Sequence, residues 1–233
     1  MYTYSKKSRR RMHAIPAAIA LTCLVIFWFL SGHSRVQAEV VNTPVTNTPA
    51  TTSTTLLSSD NTWQWELDCY DCVVEPQYDV IHGNVVRLQS RQELVLSTEL
   101  GDELNPSEWA NPELSWRWTV DRYVERQPLM RLTLKVKETD SWPSRTLHYV
   151  WHSGLAAGES EVLSDFEHLL VVSGKTSKAE SWQAIQRNLN QDWQEIYEEN
   201  FPGIESLELA LGMPGESGGT GGFIQQLVIA GTD

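Results

Sequence analysis

A strict alternation of apolar and polar side chains over residues 114–120 constrains the fold of this chain more than any other feature. The even-numbered residues there are Leu, Trp, Trp and Val, and the odd-numbered ones are Ser, Arg and Thr. A period of two is typical of a β-strand that buries one face. The same alternation recurs over residues 130–136 and 147–151. The three segments therefore predict a meander of neighbouring strands in one sheet.

Short segments with strand character also lie before and after this meander, and one segment has helical character. Leu189, Trp193 and Ile196 recur at helical spacing around residues 190–199, and Asn190 is placed to cap the first turn. About ten short strands and a single helix are typical of two sheets packed face to face. The residues themselves therefore predict an all-β, two-sheet sandwich with one short helix.

The first 38 residues predict a membrane or targeting segment that precedes the domain. Residues 1–13 hold five Lys or Arg and no acid, and residues 14–30 carry no charge. Two interpretations remain open. The run is an uncleaved anchor whose length is close to the minimum for a membrane-spanning helix, or it is a signal peptide that a signal peptidase cleaves after Ala38. In both cases the basic cluster stays inside, so the domain is exported.

Residues 39–61 separate this segment from the predicted domain. They are rich in Thr, Ser and Pro and have no apolar period, which predicts a flexible, extended tether. The predicted β-sandwich domain therefore occupies residues 62–233, a length typical of one domain.

The charge of the exported part excludes one class of partner. The chain has 18 Lys and Arg against 30 Asp and Glu, and residues 1–38 hold six of the bases and none of the acids. The remainder therefore carries a net charge of −18. Phosphate backbones repel such a domain, so we expect no nucleic-acid partner.

Two cysteines of the exported part, Cys69 and Cys72, form a Cys-x-x-Cys pair. An oxidising compartment favours a disulfide between them. A redox motif at this spacing belongs in a βαβ context, which the flanking residues do not provide. A zinc site needs two more ligands, and no His or Cys pair is nearby. We therefore expect a structural pair, with no metal and no cofactor.

Five segments in order carry a resemblance to a known family. They are residues 114–118, 130–134, 147–151 and 171–174, and Trp182 with residues 187–189. In these motifs and their spacing the chain resembles a bacterial family, domain of unknown function 3047, over roughly residues 62–230. The resemblance implies a jelly-roll β-sandwich similar to galactose-binding and carbohydrate-binding domains. It implies no biochemical activity.

The polar face of the predicted meander supplies candidates for ligand binding. Arg117, Arg131 and His148 should point away from the apolar face on neighbouring strands, and the strand before the helix ends with two more polar residues. The candidate ligand-binding residues are Arg117, Arg131, His148, Arg187, Asn188 and Trp142. Two interpretations remain open: ion pairs with the domain's own acids, or a polar floor beneath a ligand.

No catalytic constellation stands out in the sequence. Residues 215–219 lack the strand and helix that flank a serine nucleophile elbow, and carboxylates are too abundant to indicate a pair. We therefore predict a non-catalytic ligand-binding or interaction domain for a saccharide or another envelope polymer. It would face the periplasm, anchored to a bacterial cytoplasmic membrane or released by cleavage. The alternatives are a structural or protein-interaction module, and a hydrolase that uses paired carboxylates.

Overall fold

The computed structural model describes residues 51–69, 71–101, 109–121, 128–136, 144–212 and 220–232. The strands in these ranges are β1 (Thr51–Leu57), β2 (Glu66–Cys69), β3 (Cys72–Asp79), β4 (Gly83–Ser90), β5 (Leu94–Glu99), β6 (Glu113–Val120), β7 (Pro128–Val136), β8 (Thr146–His152), β9 (Ser160–Ser164), β10 (Glu167–Ser173), β11 (Gln183–Asn188), β12 (Ile204–Leu211) and β13 (Thr220–Thr232). A 3-10 helix covers Thr62–Gln64, and helix α1 covers Leu189–Tyr197.

The strands form two sheets. The front sheet has the order β11-β6-β13-β4-β3, and β1 also pairs with β13. The back sheet has the order β2-β5-β12-β7-β8-β10-β9. Strand β10 runs parallel to β8, whereas the other described pairs are antiparallel. This confirms the prediction of an all-β, two-sheet sandwich with one short helix.

The predicted membrane segment, residues 1–38, lies outside the described residues. Within the ranges given above, no helix is both long enough and apolar enough to cross a membrane.

The predicted meander is wrong in one respect. Strands β7 and β8 are antiparallel neighbours in the back sheet, but β6 lies in the front sheet between β11 and β13. The alternation of residues 114–120 correctly identifies a strand with one buried face. Each sheet of a sandwich buries one face in the same way, so the pattern does not show to which sheet a strand belongs.

The core lies between the sheets and is built around aromatic side chains. Trp116 and Trp118 of β6 point inward, as do Tyr149 and Trp151 of β8. Ring centroids lie 5.6 Å apart for Trp116 and Tyr149 and 6.3 Å apart for Trp118 and Trp151. The Trp118 Nε1–H donates to Ser173 Oγ at 2.9 Å. The even-numbered residues of 114–120 are therefore core, as the alternation predicts.

Helix α1 begins directly where strand β11 ends. The N-cap is Asn188, whose Oδ1 accepts from the Gln191 backbone N–H at 2.9 Å, so the prediction of Asn190 as the cap is wrong by two residues. Pairing of β11 with β6 keeps Asn188 extended, and an extended residue with an amide side chain is a favoured N-cap. The helix ends at Tyr197, two residues before the predicted end.

Strand β1 lies in the segment that the sequence predicted to be a tether. Thr51–Leu57 pairs with the second half of β13, and the side chain of Leu57 is fully buried. Strand β4 pairs only with the first half of β13, so β1 covers backbone groups that would otherwise be an open sheet edge. The tether prediction therefore does not hold for these residues; residues 39–50 lie outside the described ones.

A disulfide joins Cys69 and Cys72, with their Cα atoms 6.1 Å apart. Cys69 ends β2 at one edge of the back sheet, and Cys72 begins β3 at one edge of the front sheet. The disulfide therefore closes the short link over which the chain passes between the two sheets.

Candidate functional site

The candidate residues do not converge on one face. Arg117 lies on the outer face of the front sheet, whereas Arg131 and His148 lie on the outer face of the back sheet. The prediction that these three are neighbours is wrong, because β6 belongs to a different sheet from β7 and β8. Trp142 lies outside the described residues.

Arg131 is held by an acid of its own sheet. Its Nη2 lies 3.2 Å from Glu93 Oε1, and both side chains are less than one third exposed. Glu93 directly precedes strand β5, which is two strands away from β7. Arg131 therefore forms an ion pair with one of the domain's own acids, which is the first of the two interpretations given above for the candidate residues.

His148 is enclosed between two polar partners. Its Nδ1 lies 2.9 Å from Thr133 Oγ1, its Nε2 lies 2.8 Å from Glu167 Oε1, and its side chain is 8% exposed. Burial lowers the pKa of His148 below its ordinary value, although Glu167 opposes this shift. Since an ionised carboxylate only accepts, Nε2 carries the proton and Nδ1 accepts from the hydroxyl.

A hydroxyl, a histidine and a carboxylate in series are also the parts of a nucleophilic triad. Here the hydroxyl of Thr133 belongs to a residue that is 1% exposed, so a substrate cannot reach it. The Thr133–His148–Glu167 series is therefore a structural network.

Arg187 points inward rather than outward. It lies opposite Leu114 in the register of β11 and β6, and Leu114 is a core residue. Its Nε donates to Asp192 Oδ2 at 2.9 Å, and its Nη2 donates to Asp192 Oδ1. The Tyr149 hydroxyl donates to the same carboxylate at 2.6 Å. Burial, with the Asp192 carboxylate next, raises the pKa of Tyr149 well above its ordinary value.

These contacts correct the prediction that Arg187 and Asn188 join an outward-facing cluster. Arg187 joins β11 and α1 to the inner face of the back sheet, because Asp192 lies on α1 and Tyr149 on β8. Asn188 uses its side chain to cap α1. Both residues therefore stabilise the position of helix α1 at the end of β11.

Arg117 has a different environment. Its Nη1 donates to Gln225 Oε1 at 2.9 Å, and its Cζ lies 5.6 Å from the ring centroid of Trp182. Within the described ranges, no carboxylate lies within ion-pairing distance of Arg117. Its guanidinium therefore has a neutral hydrogen-bond partner and an aromatic face, and no carboxylate of the described residues neutralises its charge.

Trp182 extends the outward-facing row of β11, which continues through Ala184 and Gln186. Its half-buried ring lies 4.9 Å from the His82 ring and 6.4 Å from the Phe223 ring, centroid to centroid. An aromatic cluster thus lies beside the Arg117 guanidinium on the outer face of the front sheet.

His82 belongs to the tip of the β3–β4 hairpin, which folds against this face. Gln225 Nε2 donates to the His82 backbone oxygen. Asp79 Oδ1 accepts from the backbone N–H of Ile81 at 2.8 Å and of His82 at 2.7 Å. These hydrogen bonds lower the pKa of Asp79. The tip is thereby fixed, and it holds the His82 ring against Trp182.

A solvent-open groove of about 420 Å³ lies on the outer face of the front sheet. We call it the front groove; its lining is Ser115, Trp116, Arg117, Ala184, Ile185, Gln186, Gln225, Gln226 and Val228. Ala184 lies opposite Arg117 in the register of β11 and β6, and its small side chain leaves room beside the guanidinium. The groove is therefore lined by one cation, three amides, a hydroxyl and small or apolar groups.

A β-bulge shapes one wall of the front groove. The pairing of β13 with β6 shifts between Gln225 and Val228, and Gln226 has a φ of 41°. A positive φ is costly for a residue with a side chain, and bulges re-aim side chains. Gln225 and Gln226 are consecutive, yet both line the groove.

Gln186, Gln225 and Gln226 were not among the site residues that the sequence predicted. Two signals for them were present. Trp182 and Gln186 share the outward parity of one strand, and two adjacent glutamines interrupt the alternation of the last strand. Within the described residues, no group of three or more His, Cys, Asp or Glu side chains could hold a metal ion.

Several solved structures are similar to this chain. A family 11 carbohydrate-binding module from Clostridium thermocellum, in complex with a β-1,3-1,4-mixed-linked tetrasaccharide, is 12% identical with a TM-score of 0.41, over 77% of this chain and 96% of that one. A conserved carbohydrate esterase from Shiga toxin-encoding bacteriophage phi24B is 12% identical with a TM-score of 0.49, over 78% and 100%. A family 30 carbohydrate-binding module is 13% identical with a TM-score of 0.38, over 73% and 78%.

No curated protein matches the chain. The model of one family does match, over residues 127–211, which include β7 to β12. The matched part is shorter than the predicted extent of roughly residues 62–230. Within residues 127–211 the match confirms the resemblance to the family described as protein of unknown function (DUF3047).

Proposed function

We propose that this protein is a non-catalytic binding domain that holds a saccharide in the front groove. The observation that carries the proposal is the setting of Arg117, whose guanidinium lies beside the Trp182 ring without a carboxylate partner among the described residues. Small-ligand sites combine an apolar or aromatic surface with a few fixed polar groups. A sugar presents both kinds of surface, since its ring has an apolar face and its hydroxyls lie at the edge.

The hydrogen-bonding capacity of the groove suits sugar hydroxyls. A guanidinium has five N–H donors, and Gln225 accepts from one Nη1–H of Arg117. The amides of Gln186 and Gln226 each offer a donor and an acceptor. The bond from Gln225 to the His82 backbone fixes Gln225 in place, so Arg117 is preorganised and loses little freedom on binding.

The lining disfavours the hydrolase alternative. Glycoside hydrolysis uses a pair of carboxyl groups on either side of the scissile bond. The described residues that line the front groove include no Asp, Glu, His or Cys. A purely structural module is disfavoured by the groove itself, although the paired charges of the back sheet fit that alternative.

The proposal is tested by affinity electrophoresis of the full chain in mild detergent. The gels contain mixed-linkage β-glucan, β-1,4-galactan or polygalacturonate as soluble polymers. We expect at least one polymer to retard the protein, and Arg117→Ala and Trp182→Ala to weaken that retardation about tenfold or more. Arg117 lines the groove, and the Trp182 ring lies beside its guanidinium.

The matched control is Arg131→Ala, which removes an arginine from the outer face of the other sheet. It should bind like the parent protein. The proposal fails if no polymer retards the parent, or if Arg117→Ala and Trp182→Ala bind as well as Arg131→Ala.

We also propose the exported location that the first 38 residues predict. The disulfide between Cys69 and Cys72 supports it, because disulfides persist in oxidising compartments. Protease accessibility in spheroplasts tests the side of the membrane, and protection of the domain would refute export. The mass of the mature N-terminus then distinguishes cleavage after Ala38 from a retained anchor.

A further inference from the structure

A second pocket, of about 220 Å³, lies next to the front groove. We call it the loop pocket; its lining is Thr55, Ser58, Ser59, Asp60, Asn61, Asn84 and Gln226. All seven of these residues are polar. The end of β1, the turn that follows it, the start of β4 and the bulge of β13 supply them.

Gln226 lines both pockets and therefore marks where they meet. In a regular strand, the residue after the outward-facing Gln225 would point into the core. The bulge instead leaves Gln226 exposed and lets Leu227 take the inward, fully buried position. The described structure gives the Gln226 side chain no hydrogen-bond partner. A strained backbone thus presents an exposed amide at the junction of the two pockets.

The turn that forms the loop pocket is rigid before any ligand arrives. Asn61 Oδ1 accepts from the Ser58 backbone N–H at 2.6 Å, and Asn61 Nδ2 donates to the Leu56 backbone oxygen at 3.3 Å. The exposed side chain of Asn84 has no hydrogen-bond partner among the described residues. The pocket therefore combines a fixed wall with the exposed amides of Asn84 and Gln226, neither of which has a hydrogen-bond partner among the described residues.

The two pockets together are longer than one sugar ring. The front groove crosses β11, β6 and β13, and the loop pocket continues onto β1, which pairs with the far half of β13. Three inter-strand spacings amount to roughly 14 Å. A ligand that fills both pockets must therefore be an extended chain of several sugar units.

We propose that the front groove and the loop pocket form one continuous site for an internal stretch of a polysaccharide chain, with Gln226 in contact with both halves. This rests on the proposed function of the front groove. Trp182 and Arg117 hold the first units, and Gln226, Asn84 and Thr55 hold the units that follow.

The test is a length series measured by isothermal titration calorimetry on the full chain. The probes are the di- and hexasaccharides of mixed-linkage β-glucan, β-1,4-galactan and polygalacturonate. For the polymer that binds, we expect the hexasaccharide to bind about tenfold or more tightly than the disaccharide, because only it reaches the loop pocket.

Two variants test whether the loop pocket accounts for the higher affinity of the hexasaccharide. Gln226→Gly removes the amide and tolerates the positive φ, and Asn84→Ala removes the second exposed amide. Asn84→Ala should weaken the hexasaccharide about two- to tenfold, the range for one lost hydrogen bond, and leave the disaccharide unchanged. Gln226→Gly should weaken the hexasaccharide by at least as much, and the disaccharide by a smaller factor, because Gln226 lines both pockets. The control Gln194→Ala removes an exposed amide from α1, outside both pockets, and should change neither affinity.

Equal affinities for the di- and hexasaccharide would overturn the continuous site while leaving the proposed function intact. So would an equal weakening of both oligosaccharides by Asn84→Ala, because the loop pocket would then have no contact of its own. If no oligosaccharide and no polymer binds the parent protein, the proposed function itself fails, which is a separate outcome.

Discussion

Arg131 and Arg117 occupy equivalent positions on opposite sides of this sandwich, but their environments differ. Both point outward from a strand that is paired on both sides within its sheet. Arg131 is paired with Glu93, and on the same outer face Lys135 is paired with Glu208. Arg117 has neutral neighbours across the sheet, with Gln225 on one side and Ala184 on the other.

The comparison shows that cross-strand neighbours decide what an outward-facing arginine does. A carboxylate within reach makes it part of the scaffold. A neutral amide and an aromatic ring leave its charge and most of its donors available to a ligand. Scaffold arginines should therefore affect stability and not binding, whereas Arg117 should affect binding and not stability.

The largest expected effect on stability is at Arg187, because its ion-pair partner Asp192 is almost completely buried. Arg187→Ala leaves the carboxylate of Asp192, which is 2% exposed, without its charged partner. Removing one partner of a buried ion pair typically costs about 3–5 kcal/mol. We expect a loss of that order in the free energy of unfolding, measured by urea denaturation.

Arg117→Ala is the matched comparison, because it removes the same side chain from a site without a buried partner. We expect its free energy of unfolding to lie within about 0.5 kcal/mol of the parent. Similar losses for the two variants would contradict the division into scaffold and binding arginines.

The sequence predicted the parts of the molecule that depend on local pattern. Alternation located β6, β7 and β8, and helical spacing located α1 to within two residues at each end. It could not predict that β6 lies in the other sheet, because both sheets bury one face in the same way. It also could not predict that Arg117 approaches Trp182, since that contact depends on the register of β11 against β6.

Strand β1 and the bulge illustrate a second limit. Thr-rich residues 51–57 have no pattern of a buried strand, and they pair because the second half of β13 offers open backbone groups. Gln226 reaches the surface because one irregularity shifts the pairing of β13. Pairing between strands that are distant in sequence determines both the position of β1 and the bulge at Gln226. Local residue propensities do not predict such pairing.

A smaller effect is expected from His148, which belongs to the scaffold face and titrates. Burial holds its folded-state pKa below the ordinary value of 6.5, against the opposing effect of Glu167. The unfolded state therefore binds more protons just below pH 6.5, and the free energy of unfolding should fall as the pH drops from 7 towards 5. The charges that act on His148 are those of Arg131, which lowers its pKa, and of Glu167 and Glu208, which raise it.

The measurement is urea denaturation at several pH values for the parent and for His148→Asn. The fall between pH 7 and pH 5 should be shallower in the variant. His152 and His168, whose pKa values burial also lowers, account for a fall that remains. An unchanged slope in His148→Asn would show that the network of His148 does not contribute to the pH dependence.

A small effect on stability is expected at the ion pair of Arg131 with Glu93. Arg131 and Glu93 are partly exposed, and such pairs contribute about 0–1 kcal/mol. A double-mutant cycle with Arg131→Ala and Glu93→Ala should therefore give a coupling energy in that range, measured by urea denaturation. The same variants should bind the polymer of the affinity gels like the parent protein. A coupling energy near zero together with weakened binding would place Arg131 among the ligand-binding residues, and the contrast between the two outer faces would no longer hold.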